Sequence, residues 1–210
     1  MRQIKKPLPT LKPFAMMKTL KVLIVPLWLI TFAAVACMKR SIEEPQPKMH
    51  YTFLHNTEIK AADYHHIDID GNGSTDFAFY TRVVGNPILQ RDRLQFLVDS
   101  KIETKLLNNE QGESIKMNKT DRLGVKHHGF DWFGVSSIVL AEKLVPLNEA
   151  PYWEGMWKEA SHHFLPVQVI KEGKAYYGWI EISFDMSAEK LVLHKAAIST
   201  ESEKEIKAGL

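Results

Sequence analysis

From Tyr176 to Asp185 the chain reads YYGWIEISFD, a strict alternation with Tyr176, Gly178, Ile180, Ile182 and Phe184 on one side and Tyr177, Trp179, Glu181, Ser183 and Asp185 on the other. Successive side chains of an extended strand point to opposite faces, so this period belongs to a strand with one buried face. Phe164 to Ile170 precedes it across the turn Lys171-Glu172-Gly173-Lys174, and Leu191 to Ser199 follows after Met186 to Lys190. That order predicts three consecutive antiparallel strands. Tyr64 to Ile69, Phe77 to Val84 and Leu94 to Val98 add three more. The one helical candidate is Pro151 to Ser161, where Trp153 and Trp157 fall four apart, although Gly155 weakens a helix. The expected fold class is all-β: an antiparallel β-sandwich over residues 49–210 with at most one short helix.

The first 36 residues read as an address. From Met17 the chain runs through Lys18 and Lys21 into an apolar stretch, Val22 to Phe32, and then small residues up to Cys37. This is the layout of a signal peptide, and the proline-bearing prefix before it points to Met16 or Met17 as the true start. The apolar run is shorter than the roughly 20 residues that span a bilayer, and it contains Pro26. Ala34-Val35-Ala36-Cys37 resembles the lipobox of bacterial lipoproteins, although Leu is usual where Ala34 stands; Ala34-Val35-Ala36 also fits the ordinary A-x-A signal peptidase. The resemblance implies cleavage before Cys37 and a membrane partner reached through lipid on that cysteine. Met38, not Asp, follows the cysteine, which favours the outer membrane, and Glu43-Glu44 resembles the acidic export signal of surface-exposed lipoproteins. Residues 37–48, polar and carrying two prolines, are expected to form a lipidated tether.

Charge and cysteine count narrow the function classes. The whole chain carries +2, but six basic residues and no acidic ones precede Cys37, which leaves 21 basic against 25 acidic residues after it. A net −4 without a basic cluster argues against nucleic acid as a partner. Cys37 is the only cysteine, so no intramolecular disulfide forms and cysteine catalysis is excluded from the folded part.

Ile67 to Phe77 (IDIDGNGSTDF), Tyr176 to Ile180 (YYGWI), the Ala197 strand and the closing Ile206-Lys207-Ala208-Gly209 resemble a group of secreted bacterial β-domains, some of which carry a PEP-CTERM sorting tail. The resemblance covers most of residues 60–210 and implies secretion and a β fold; it brings no activity with it.

Two groups of residues are candidate sites. Asp68, Asp70, Asn72, Ser74 and Asp76 fall at the first, third, fifth, seventh and ninth positions of an oxygen-ligand calcium loop, with Gly73 at the sixth. Phe79 stands where an EF-hand places its bidentate Glu, so the pattern is closer to the D-x-D-x-[DN]-G-x-x-D loops of FG-GAP-type and dockerin-type proteins. The plainer reading is a hairpin turn built on Gly71-Asn72-Gly73. The two readings stay open; if the loop holds an ion, calcium is the expected cofactor, with a bracing rather than a chemical role. The second group is aromatic: Trp153, Tyr177 and Trp179 are candidates for facing a glycan, and Glu154, Glu159 and Glu181 for a glycosidase carboxylate pair. The nine histidines include the pairs His65-His66, His127-His128 and His162-His163, but neighbours on a strand face opposite ways and no short-spaced metal motif is present. Ser136 and Ser137 lie outside any G-x-S-x-G elbow. The function expected from these features is a lipid-anchored extracytoplasmic β-sandwich of binding or structural type, meeting a glycan or a cell-surface protein; the alternative is a secreted hydrolase or binding module acting on glycans.

Overall fold

The computed structural model describes residues 45–210, so the expected signal peptide, Cys37 and the first part of the tether lie outside the described residues. Thirteen strands follow in order: β1 Met49–Ile59, β2 Tyr64–Ile67, β3 Phe77–Asn86, β4 Arg91–Ser100, β5 Thr104–Asn108, β6 Arg122–Leu123, β7 Asp131–Gly134, β8 Ser137–Pro146, β9 Tyr152–Glu154, β10 His163–Lys171, β11 Lys174–Asp185, β12 Lys190–Ser199 and β13 Ile206–Lys207. Among the described residues there is no helix, and hence none long and apolar enough to cross a membrane.

All pairings are antiparallel. One sheet has the order β1-β12-β11-β10-β5-β7, a second has β2-β3-β4-β8-β9, and β13 pairs with β6. The main core lies between the two large sheets: Val167, Ile180, Ile182 and Leu193 meet Phe77, Phe79, Phe96, Ile138 and Leu140. This is the expected β-sandwich, closed by apolar side chains that the two large sheets turn toward each other.

The six-stranded sheet departs from the expected half-burial. On its outer face, Tyr177, Trp179, Phe164, Leu107 and Ala197 form a second core beneath Met117, Leu123, Ile206 and Ala208. The first half of β11 is thus buried on both sides, while its second half keeps Glu181 and Ser183 partly open. Gly178 makes the close strand packing possible, since a Cβ there would sit 2.5 Å from the Ala197 carbonyl oxygen.

The segment expected as a helix, Pro151 to Ser161, instead gives the edge strand β9 and a turn. Gly155 takes φ +105°, and a Cβ on it would meet the Leu140 carbonyl oxygen at 2.6 Å. The chain passes so close that the Trp157 N–H donates to that same carbonyl at 3.1 Å, and its indole N–H donates to Ser114 O at 3.1 Å. Trp157 is anchored by tertiary bonds that a helix would not offer.

Candidate functional site

Residues 68–76 connect β2 to β3, with the Asp76 N–H donating to Ile67 O (2.8 Å) to close the loop. The Asp68 carboxylate organises its interior. It accepts from the backbone N–H groups of Gly71 (2.7 Å), Asn72 (3.2 Å) and Gly73 (2.7 Å). Gly71 and Gly73 have φ of 74° and 86°, the left-handed region that glycine enters without strain, and this lets the amides turn inward. Burial, the largest single influence, raises the Asp68 pKa, but the amide bonds together outweigh it and hold the group below its ordinary value.

Asp76 is nearly buried, at 5% exposure, and accepts the Ile69 N–H at 2.8 Å. Burial, with repulsion from Asp70 and Asp68, pushes its pKa up to about 6. Ligand atoms of Asp68, Asp70 and Asp76 all lie within 4.8 Å of one another, the one such group of three or more His, Cys, Asp or Glu among the described residues. The Lys171 ammonium, from the end of β10, sits 2.7 Å from Asp70 Oδ2 and offsets part of the charge. Asn72 and Ser74 are used otherwise: Asn72 Oδ1 accepts the Ser74 N–H at 2.7 Å, and Asn72 Nδ2 donates to Asp70 Oδ2 at 3.2 Å.

The loop forms one wall of a cleft of about 710 Å³ at the end of the sandwich, which Asp70, Asn72, Ser74 and Asp76 share with Lys101, Ile102 and Glu103 from the β4–β5 turn, Val135 and Ser136 from the β7–β8 turn, and Lys171. Opposed cations, carboxylates and hydroxyls give this cleft the chemistry to hold a polar ligand. The partners that Asp70 and Asp76 meet in it, Lys171 and the residues of the other two turns, are far apart in sequence, and no local pattern could have marked them.

The aromatic candidates take other positions. Tyr177 and Trp179 are each 1% exposed, closed over by residues 115–123 and 206–208, so neither faces a ligand. Trp153 is half-buried, its ring 5.1 Å from Phe184 and 6.0 Å from Phe96. Glu154 and Glu159 lie exposed in and just after β9, whereas Glu181 belongs to β11 in the other sheet. Of the three histidine pairs, only His162 joins another described histidine in a ring contact, stacking on His194.

Fold and site together define a class, an antiparallel β-sandwich with an acidic loop walling a polar cleft at one end. No family model, no curated protein and no solved structure matches this chain.

Proposed function

We propose that this chain is a lipid-anchored binding module of the bacterial cell envelope, held by acyl chains on Cys37, with calcium seated on Asp68, Asp70 and Asp76 and a ligand taken up in the adjoining cleft. The observation that carries the reading is the convergence of three carboxylates, one of them nearly buried, on the wall of the cleft at the end of the sandwich. A hard divalent cation suits such a set, because it brings to a low-dielectric loop the positive charge that Lys171 alone does not supply. Carbohydrate hydroxyls would be natural further oxygen ligands for a cation held by these residues, so a glycan is the ligand class we favour. The burial of Tyr177 and Trp179 removes the aromatic platform on which sugar rings would stack, so the polar groups of the cleft carry the recognition.

The first described residues are tied to the sandwich beside the acidic loop. Lys48, at the end of the tether, is tied to the sandwich through Thr200 N–H to Lys48 O at 2.8 Å, and His50 lies against Gly71 of the acidic loop. The chain therefore enters the sandwich at the cleft end.

The test is a melting curve of the detergent-purified chain in EDTA, then in millimolar calcium, magnesium or zinc. Calcium at a hundred times its Kd contributes about 2.7 kcal/mol, or roughly 5–10 °C for a domain of this size. A rise with calcium that is absent from Asp76→Asn supports the ion site; an equal response of both proteins refutes it. Separately, Cys37→Ser is expected to leave the membrane fraction, and persistence there refutes the lipid anchor.

A further inference from the structure

On the outer face of the six-stranded sheet, away from the cleft, side chains from three neighbouring strands meet through two irregularities in pairing. The β11–β12 register slips between Glu181 and Ile182, inserting His194 as an extra residue in β12. The β1–β12 register slips between Phe53 and Thr57, where His55 and Asn56 have φ of 52° and 57°. Bulges redirect side chains that a regular strand would send elsewhere. Here they bring His194 Nε2 to 2.8 Å from Ser183 Oγ and His194 Nδ1 to 2.6 Å from Asn56 Oδ1. A carboxamide oxygen only accepts, so Nδ1 carries the proton; neutral imidazole then has a bare Nε2, and the Ser183 hydroxyl donates to it.

The surroundings fit this arrangement. The backbone N–H of His162 donates to Ser183 Oγ at 2.9 Å, fixing the hydroxyl while leaving an oxygen lone pair available. The rings of His162 and His194 stack at 4.3 Å with 22° between planes, and His162 Nδ1 lies 2.8 Å from Glu181 Oε1. Near-parallel rings aim their nitrogens side by side and not at one point, which suits a stacked pair and not a shared metal ion. Burial, reinforced by His162, holds the His194 pKa below its ordinary value, so the ring is neutral near pH 7.

A hydroxyl bonded to a base, the base fixed in one tautomer by a third group, is the arrangement of serine nucleophiles. The geometry points to Ser183 as a nucleophile toward carboxylic esters, with His194 as its base and Asn56 as the residue that positions His194. Ser183 Oγ bonds to the ester carbonyl carbon as its proton passes to His194 Nε2. The bond from that carbon to the leaving oxygen breaks, and His194 returns the proton to it, giving acyl-Ser183 and an alcohol. Water, losing a proton to His194, then releases the carboxylic acid and restores the hydroxyl. Phe53, 66% exposed, and Tyr51, 41% exposed, stand on the same strand as Asn56, and Phe53 pairs with the residue next to His194. The Lys195 ammonium lies over both rings, 4.1 Å from the Tyr51 centroid and 5.6 Å from that of Phe53, so these aromatics border the site as cation–π partners and set no preference for the acyl part.

The full chain is treated with a reporter-bearing alkyl fluorophosphonate and, separately, with p-nitrophenyl acetate and butyrate. The expected result is a phosphonyl adduct on the Ser183 peptide and ester hydrolysis roughly a hundredfold above that of Ser183→Ala. Labelling is lost in His194→Gln; it slows in Asn56→Ala and is restored in Asn56→Asp, a rescue that a purely structural role would not give. The proposal is overturned if Ser183 takes no label, if labelling survives His194→Gln, or if Ser183→Ala hydrolyses esters as fast as the parent. Neither result depends on calcium, so the cleft reading stands or falls separately.

Discussion

Asp76 is where burial and charge oppose each other most directly. Its folded-state pKa of about 6 lies above the ordinary 3.8, so between these values the native protein binds more protons than the unfolded one. Stability without calcium is then greatest below about pH 4 as far as this group is concerned, and falls as pH rises through 6. A tenfold change in proton affinity is worth about 1.4 kcal/mol, so the loss amounts to roughly 2–3 kcal/mol. Denaturant titrations in EDTA from pH 4 to pH 7 are expected to show that decline, and Asp76→Asn, which can still accept the Ile69 N–H, is expected to flatten it. A decline of the same size in Asp76→Asn would assign it to other groups. Asp68 behaves oppositely, since its carboxylate holds three backbone amides. Asp68→Ala should therefore cost about 1–3 kcal/mol even in EDTA, read from the denaturation midpoint. Gly178→Ala poses a purely steric question, because the new Cβ would meet the Ala197 oxygen at 2.5 Å and Ile198 Cδ1 at 2.7 Å. A loss of about 1–3 kcal/mol is expected, with strand β12 pushed outward.

Among the elements, the β10–β11 hairpin shows how closely local sequence can specify a turn. Lys171 pairs with Lys174, leaving Glu172 and Gly173 as a two-residue loop with φ of 50° and 74°. Both residues are left-handed, as a type I′ turn requires, and Glu is a poor occupant of its first position. Glu172→Asn is expected to raise the denaturation midpoint by about 0.5–1 kcal/mol with an unchanged denaturant dependence; no gain would mean that the turn is held by the strands alone. Strands β2, β3, β4, β10, β11 and β12 were legible in the sequence because each carries its own apolar pattern. Strands β1 and β8 were not, since both are irregular: β1 is broken between Phe53 and Thr57, and β8 carries Leu140 as an extra residue opposite the Phe96/Leu97 step. The same breaks hid chemistry, because Ser183 and His194 lie 11 residues apart and Asn56 and His194 lie 138 apart. The acidic loop, by contrast, keeps its three carboxylates within nine consecutive residues, and its spacing alone marked them.

At the scale of the whole molecule, part of the six-stranded sheet, around Tyr177 and Trp179, is covered on both sides, and that second cover is what no local pattern announces. Trp179 reads as outward-facing from the alternation of its own strand, and it does face outward from the main core, but residues 115–123 and 206–208 fold back over it. The C-terminal segment is held there by paired backbone bonds. Glu203 N–H donates to Ala175 O at 2.7 Å, Thr120 N–H to Ala208 O at 2.8 Å, and Ala208 N–H to Asp121 O at 2.9 Å. Gly209 follows with φ +75°, and a Cβ on it would overlap the Phe164 ring at 2.5 Å. Ile206, at 1% exposure, is the apolar anchor of this cover. Ile206→Ala is expected to cost about 2–4 kcal/mol, and truncation after Ser202 to expose the Tyr177–Trp179 layer while the main core persists. The signature is binding of an apolar dye and red-shifted tryptophan emission, with far-ultraviolet circular dichroism of the sheet retained. Loss of all β signal on truncation would mean that the two cores fold as one cooperative unit, and an unchanged emission spectrum would mean that the outer layer is closed by residues 115–123 alone.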